Sequence, residues 1–372
     1  LLDCRQPEEW ALASVPGTVQ AADALDTSWK VDSALLYYSE KDRVNVVEPV
    51  ANMKKALAED EFVTLRIVLD SMSGASPNGA SPTDVPQTFT TPSGNSTYTV
   101  VPGELPQRDF EDLRYAFGAD WEKPLARGTR NILSANVSSE RDYASVGVSN
   151  TIAHDINNRL TTLTAGLGLS YDMVNPEGGS PLGLQPLSVP ATTGGEETKT
   201  LVDVLVGVTQ VLTPRTLMQL NYAYTSLDGY LTDPYKILSE VDPVTGGTLD
   251  YRYEKRPDTR ATHAVYWKLV YHLPRDVVHF SYRYFQDDWG IKAHTADVRY
   301  RYELSGGRYL EPHLRYYSQS AADFYHHSLV SGQPLPEFAS ADFRLAEMQG
   351  NTLGFKFGMP TGKQAEWSIR VE

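Results

Sequence analysis

The feature that most constrains the fold of this chain is an alternation of apolar and polar residues with a period of two. In "TTLTAGLGLSYD" one face would carry Leu163, Ala165, Leu167, Leu169 and Tyr171. Threonine, glycine, serine and aspartate occupy the positions between them. Because successive side chains of a strand point to opposite faces, the pattern predicts a β-strand with one apolar face and one polar or small face. It recurs from about residue 28 onward, with hardly any helical periodicity.

The length of these runs favours a membrane barrel over a water-soluble sandwich, which is the alternative for alternating strands. Most runs have about ten to fourteen residues, whereas strands of soluble proteins usually have about five or six. A tilted strand needs about 9 to 11 residues to cross a bilayer. Many of the 22 tyrosines also lie near the ends of the runs, where aromatic rings sit at the level of the lipid headgroups.

The connections between the runs indicate how the barrel is oriented. Every second connection is short, while several of the others are long and rich in Gly, Pro, Ser and Asp, near residues 70–108, 173–198, 229–259 and 321–339. Short periplasmic turns that alternate with long extracellular loops are typical of barrels in the outer membrane of Gram-negative bacteria. About fifteen segments can be counted, near residues 28–40, 43–56, 60–72, 109–123, 128–142, 143–155, 158–174, 199–212, 215–229, 260–273, 275–288, 291–305, 307–320, 340–358 and 364–372.

We therefore predict an all-β chain, in which residues 28–372 form a transmembrane antiparallel β-barrel and residues 1–27 form a periplasmic or lumenal segment. Single-chain bacterial barrels have even numbers of strands, so we expect about sixteen strands, the last of them after Glu372. A merged pair, which would give fourteen strands, is the alternative. The oligomeric state stays open, and a homo-oligomer is compatible with the pattern.

Charge and cysteine content exclude several classes of protein. The net charge of −14 does not offer the basic face that nucleic acid requires. With one cysteine, Cys4, the chain has no internal disulfide, thiolate zinc cluster or Cys-x-x-Cys-His haem motif. Any redox cofactor must therefore come from a partner. Asp3 is a poor residue to precede a lipidated cysteine, so we interpret Cys4 as an incidental thiol.

Two motifs resemble those of an uncharacterised family of Gram-negative outer-membrane barrels, a domain-of-unknown-function group. They are "LDSMSGASPNGASPTDVPQTFTTPSG" from Leu69 to Gly94 and "DDWGIKAHT" from Asp287 to Thr295. The resemblance covers most of the chain from about residue 25. It implies an outer-membrane barrel whose gene neighbours include a small lipoprotein, a thioredoxin-like protein and a periplasmic flavin transferase. A lipoprotein or periplasmic redox protein is thus an implied partner, and the family implies no catalytic residues.

The segment "FQDDWGIKAH" raises the question of chemistry at the outer rim. Asp287, Asp288 and His294, with His326 and His327 from a neighbouring loop, have the oxygen and imidazole groups that a divalent cation binds. His313 lies near the same loop and is a further candidate. A hydrolytic rim site is a second interpretation, and a structural hairpin with Gly290 at its turn is the third. The glycine-rich loop near residue 74 lacks the Gly-Lys-Ser/Thr ending of a phosphate-binding loop.

The polar face of the strands predicts a charged lumen. Strands ten to thirteen would present Lys268, Arg283, Arg299, Arg301 and Arg315, and strands three and four would present Asp70, Asp120 and Glu122. Opposed charges orient polar solutes and set ion selectivity, or they pair with one another and brace a plugged lumen. We expect a porin-like channel or transporter for a small solute or ion, with no enzymatic activity and no cofactor of its own. A scaffold barrel for a redox or lipoprotein partner and a rim metal or hydrolytic site are the alternatives.

Overall fold

A computed structural model describes residues 27–41, 43–90, 97–189, 195–361 and 365–372 of the chain. Residues 1–26 of the predicted N-terminal segment lie outside the described residues. No helix in these ranges is long and apolar enough to cross a membrane.

One continuous antiparallel sheet of fifteen strands makes up most of the structure. Neighbours in the sheet are consecutive along the chain except where small strands in the long loops intervene. The strands are β1 (Lys30–Ser39), β2 (Val44–Ala58), β3 (Glu61–Pro77), β6 (Gln107–Ala126), β7 (Thr129–Ser139), β8 (Tyr143–Ile156), β9 (Thr161–Val174), β10 (Glu197–Thr213), β11 (Thr216–Gly229), β14 (Thr259–His272), β15 (Val277–Asp287), β16 (Lys292–Glu303), β17 (Tyr309–Gln319), β19 (Met348–Pro360) and β20 (Glu366–Val371). The predicted all-β class and the fifteen predicted segments are confirmed.

The two faces of the sheet differ sharply in polarity and in exposure. On one face, apolar side chains such as Leu167 and Leu353 are 52% and 74% exposed. On the other face, Asp172, Asn221 and His313 are 3–4% exposed. A sheet with an exposed apolar face and a buried polar face is inverted relative to a water-soluble protein, and it matches a barrel whose outside contacts lipid. We call the polar side the inner face and the apolar side the outer face.

The connections alternate in length, as the sequence predicts. At one end of the sheet the turns are short: residues 59–60, 127–128, 157–160, 214–215, 273–276, 304–308 and 361–365. At the other end are the long connections 78–106, 175–196, 230–258 and 320–347, and three shorter ones at 40–43, 140–142 and 288–291. The short turns are therefore periplasmic and the long loops extracellular. β1 and β20 run in the same direction, and the sixteenth strand stays a prediction.

The described residues of the four long connections fold together into one layer, which we call the cap. It contains the hairpin β4 (Gln87–Thr90) and β5 (Thr97–Val100), the hairpin β12 (Ile237–Val241) and β13 (Thr248–Tyr253), and β18 (Ser328–Val330). β12 pairs with β18 in parallel, so residues about 90 positions apart in the chain share one small sheet. The predicted start of the fourteenth segment at residue 340 is wrong, because residues 340–347 belong to the cap and β19 begins at Met348.

Three small apolar clusters stabilise this end of the molecule. The first joins Phe89 of β4 to Ile237 and Tyr253, and the second packs Leu238 against Leu329 and Ala339. The third packs Trp289, in the turn after β15, against Phe324 and Leu345. Each of the first two clusters draws residues from three separate connections, so burial of apolar surface holds the cap together as a unit.

Substituting arginine on each face tests the assignment of the faces. We expect Leu167→Arg, on the outer face of β9, to destabilise the barrel by about 2–4 kcal/mol, because the charge would enter hydrocarbon. Asn136→Arg, at an exposed position on the inner face of β7, is the matched control and should have a much smaller effect. Urea unfolding in lipid vesicles measures both. Equal losses, or a larger loss at Asn136, would contradict the assignment.

Candidate functional site

The inner face carries the eight predicted lumen residues. The register places Asp70 opposite Arg114, and it places Asp120 and Glu122 on the same face of β6. The basic candidates occupy inner positions of four later strands: Lys268 on β14, Arg283 on β15, Arg299 and Arg301 on β16, and Arg315 on β17. Each of these two regions carries charges of both signs, since Asp70 lies opposite Arg114 on the inner face of β3 and β6. The pore-lining role of these residues stays a prediction.

Many charges of the basic wall have an acidic neighbour. Arg299 Nε lies 3.3 Å from Asp297 Oδ1, and Arg301 Nε lies 2.6 Å from Glu303 Oε1. His313 bridges two acids, since Nε2 bonds to Asp297 and Nδ1 lies 2.8 Å from Glu372 Oε1. The wall is thus a mixed array of charges rather than a uniformly basic surface.

Between the charged walls the inner face is lined by small residues. Gly147, Gly166 and Gly207 occupy inner positions of β8, β9 and β10, in register with polar residues of the neighbouring strands. A Cβ on Gly147 would lie 2.6 Å from Asn136 Oδ1, and one on Gly207 would collide with Asn221. The glycines leave space for these amide side chains to lie flat against the wall.

The cap is attached to the inner face at several places around the mouth. Lys236 Nζ donates to Pro77 O at 2.5 Å and to Ser76 Oγ at 3.2 Å, at the end of β3. Gln319 Nε2, on β17, donates to Arg344 O at 2.9 Å. Tyr235 OH donates to Asp142 Oδ2 at 2.6 Å in the turn between β7 and β8. β3, β7 and β17 are the third, fifth and thirteenth strands of the sheet, so the cap extends across the outer mouth.

A buried ionic network lies inside the cap. Arg256 Nη2 donates to Asp342 Oδ2 at 2.8 Å and to Glu254 Oε2 at 3.2 Å. Arg344 binds Asp342 through Nε at 2.9 Å and binds Asp233 Oδ2 at 2.7 Å. Glu254 and Asp342 are 0% and 1% exposed. Their desolvation is offset only while every partner is in place.

The pKa values in the network reflect burial and the surrounding charges. Burial alone would raise the pKa of Asp342, but the hydrogen bonds and charge of Arg344, together with the charge of Arg256, hold it well below the usual range. Burial raises the pKa of Glu254 despite Arg256. The sequence does not reveal this network, because its three segments, at residues 233, 254–256 and 342–344, are far apart in the chain and are unremarkable within polar loops.

A second titratable group, Glu140, lies in the turn between β7 and β8. Burial raises its pKa to about 8, and the hydrogen bond to Asp112 and the charge of Asp112 add to the effect. Asp142, two residues away, accepts the hydrogen bond from Tyr235 of the cap. The protonation of Glu140 therefore takes place beside one of the attachments of the cap.

The segment "FQDDWGIKAH" is a structural hairpin that joins the wall to the cap. Asp287 Oδ2 pairs with Arg260 Nη2 at 2.5 Å, and Asp287 Oδ1 accepts the Ile291 N–H at 2.8 Å. Asp288 Oδ1 accepts the Ala261 N–H at 3.0 Å. Gly290 has a φ of +85°, and a Cβ there would collide with Asp323 of the cap. Of the three interpretations, the structure matches the hairpin.

The predicted rim cation ligands are not brought together. Asp287 is on the inner face of β15, whereas His294 is on the outer face of β16, in register with Tyr284. His313 is on the inner face of β17, and His327 Nδ1 lies 3.3 Å from Ser81 Oγ in the cap. In the ranges that the structure describes, no group of three or more His, Cys, Asp or Glu could hold a metal ion.

Long strands, an apolar outer face, a polar inner face and long loops at one end define this chain as an outer-membrane β-barrel. It belongs to the family described as "Protein of unknown function (DUF3570)", whose model matches residues 10–372. The resemblance noted from the two motifs is therefore confirmed. A search of curated proteins finds no match.

Solved outer-membrane proteins are similar to the chain at low identity. The FrpB iron transporter of Neisseria meningitidis, in its apoprotein form, has a TM-score of 0.45 and 10% identity over 92% of this chain, which spans 63% of that protein. OmpT of Vibrio cholerae, with loop L8 deleted, has a TM-score of 0.38 and 10% identity. The match covers 79% of this chain and 95% of that protein. The toluene transporter TodX of Pseudomonas putida has a TM-score of 0.38 and 9% identity. The match covers 78% of this chain and 85% of that protein. Similarity at this level does not extend to a ligand.

Removing one member of the buried network should melt the cap and leave the barrel intact. We expect Asp342→Asn to destabilise the cap by about 3–5 kcal/mol, because Arg256 and Arg344 would lose a charged partner inside the protein. Asp250→Asn, at a half-buried position of β13 outside the network, serves as the control, because asparagine can still accept the hydrogen bond that Asp250 accepts from the Tyr251 N–H. Limited proteolysis between residues 230 and 258 reports opening of the cap. Equal protease resistance in both variants would contradict the role of the network.

Attachment of the cap near Glu140 should weaken as the pH rises. The folded pKa of about 8 lies above the ordinary value of 4.5, so stability present below pH 4.5 is lost progressively as the pH rises through 8. Hydrogen exchange at residues 140–142, corrected for intrinsic rates, should be faster at pH 9 than at pH 6. Glu140→Gln should flatten this dependence, and Glu177→Gln, at an exposed site, should not. An unchanged profile in Glu140→Gln would exclude Glu140 as the titrating group.

Proposed function

We propose that this chain forms a gated passage for a small polar solute or ion across the outer membrane, with the cap as the gate. The proposal is supported above all by the position of the cap. It lies across the outer mouth of a barrel whose inner face is polar and charged. A polar lumen can hold water and solute, and opposed charged walls would orient a polar solute on its way through. No covalent chemistry is part of the proposal.

The attachments of the cap suggest how it would open. The contacts from Tyr235 to Asp142 and from Lys236 to Pro77 join cap to wall at two places. Hydrogen bonds of this kind, in which one partner is charged, contribute about 1.5–3 kcal/mol each. Loss of a few such contacts would release one side of the cap while its own apolar clusters keep it folded.

Single-channel recording in planar bilayers tests the gate. Tyr235→Phe removes the hydrogen bond to Asp142 of the wall and the one that Tyr235 OH accepts from the Glu177 N–H within the cap. We expect loss of the wall contact to raise the open probability about tenfold, the equivalent of one charge-assisted hydrogen bond of about 1.5 kcal/mol. Tyr251→Phe is the matched control, because Tyr251 OH bonds to Gln87 Nε2 at 2.9 Å within the cap and not to the wall. Wild type and Tyr251→Phe should behave alike.

The same recording can overturn the proposal. Absence of ion current from wild type, from Tyr235→Phe and from a variant with both Tyr235→Phe and Lys236→Met would exclude a passage. It would favour a scaffold barrel that holds a lipoprotein or redox partner instead. Equal opening by Tyr235→Phe and Tyr251→Phe would retain the passage and reject the attachments as its gate.

A further inference from the structure

The outer face carries the same three-residue cluster twice. In the first, Tyr222 OH lies 2.8 Å from His263 Nδ1, and the Tyr224 ring lies 5.1 Å from the imidazole. In the second, Tyr282 OH lies 2.7 Å from His294 Nδ1, and the Tyr284 ring lies 5.2 Å from the imidazole. Both clusters consist of Tyr-x-Tyr on one strand and a histidine directly opposite the second tyrosine on the next strand.

The strand register joins the two clusters into one surface. One row across the sheet contains Tyr224, His263, Gln286 and Lys292, and the adjacent row contains Tyr222, Val265, Tyr284 and His294. We call the eight residues of these two rows, together with Tyr282, the outer-face patch. The patch spans the four neighbouring strands β11, β14, β15 and β16. The patch lies near the ends of β15 and β16 that lead to the extracellular loops. Tyr222, Val265 and Tyr282 are 37–41% exposed, so the surface is open.

The hydrogen bonds within each cluster determine what the histidines offer to a ligand. With the tyrosine hydroxyl as donor to Nδ1, the neutral imidazole carries its proton on Nε2. A protonated imidazole carries a proton there too. Each histidine thus presents an N–H donor, and Lys292 adds a cationic donor two residues from His294. Of the carboxylates near the extracellular end of this face, Asp288 already accepts the Ala261 N–H at 3.0 Å, and Asp228 lies two outer-face positions beyond Tyr224 on β11.

We propose that the outer-face patch binds a phosphate group of an outer-leaflet lipid. The patch faces lipid and not the lumen, and it lies at the extracellular end of the membrane-spanning strands, where headgroups are found. Imidazole and ammonium N–H groups are donors that phosphate oxygens accept, and His294 and Lys292 lie two residues apart on β16. The tyrosine rings match the interfacial region between acyl chains and headgroups. The proposal does not depend on whether the lumen conducts.

A titration of the refolded full chain with lipid A, followed by native mass spectrometry, tests the proposal. The probes are lipid A with both phosphates and the same lipid after enzymatic removal of its phosphates. We expect wild type to bind the phosphorylated form about tenfold more tightly, and a variant with His263→Phe and His294→Phe to lose this preference. His272→Phe is the matched control, since His272 is exposed at the periplasmic end of β14.

Three results would overturn the proposal. They are equal binding of both lipids by wild type, an unchanged preference in the double histidine variant, and displacement of lipid A by inorganic phosphate at equal concentration, which would make free phosphate the ligand. Lys292→Gln leaves both Tyr–His contacts in place, so it keeps the test decisive if the double variant does not fold. It should weaken binding of phosphorylated lipid A several-fold and leave the dephosphorylated lipid unaffected.

Discussion

The structure depends on the requirement that every backbone N–H and C=O group inside a membrane has a hydrogen-bond partner. Hydrocarbon supplies none, so a strand can cross only where a neighbouring strand pairs with it along its length. The thirteen strands between β1 and β20, the two ends of the sheet order, satisfy this requirement with a partner on each side. Their ladders are long and mostly unbroken, as between β9 and β10, which pair from Val174 to Thr161. The ladder imposes the alternation of side chains. Residues on the face that contacts lipid must be apolar, and the polar residues therefore lie on the other face.

This dependence explains why so much of the wall could be predicted from the sequence. In β9 the alternation from Leu163 to Tyr171 is local information, and the structure places these residues on the exposed outer face. The same alternation of polar and apolar residues predicted the inner positions of Arg283 and Asp120. The beginning of β19 could not be predicted. Residues 340–347 contain polar and apolar residues in a proportion similar to that of the strands, but they pack into the cap. Their position is decided by contacts with residues about 90 positions earlier, such as Arg256.

The candidate sites show the same limit. The predicted rim cation site assumed that residues close in sequence would be close in space, yet Asp287 and His294 lie on opposite faces, since β15 and β16 pair in a register that separates them. The buried network of Asp233, Glu254, Arg256, Asp342 and Arg344 had no local signal at all. The repeated Tyr-x-Tyr motif was visible in the sequence, but its histidine partners became apparent only from strand pairing.

The two ends of the molecule are built on different principles. The periplasmic end has turns that only reverse the chain, as at Gly128, where φ is +73°. The extracellular end gathers four long connections into the cap, which has its own apolar clusters and its own ionic network. The cap is internally stable and is attached to the wall by hydrogen bonds and by the apolar cluster around Trp289, so release of these contacts would let it move as a unit. That combination connects the packing of the cap with the proposed gating of the lumen.

Hydrogen–deuterium exchange of the full chain in lipid nanodiscs, resolved to single peptides, tests the central claim of an ordered cap on a lipid-embedded barrel. The account predicts slow exchange in the fifteen wall strands. It also predicts that β12, β13 and β18 exchange together, at one intermediate rate, because they open as one unit. Exchange of these three strands within seconds, as in unstructured loops, would contradict the account. So would rapid exchange through the middle of β9 or β10.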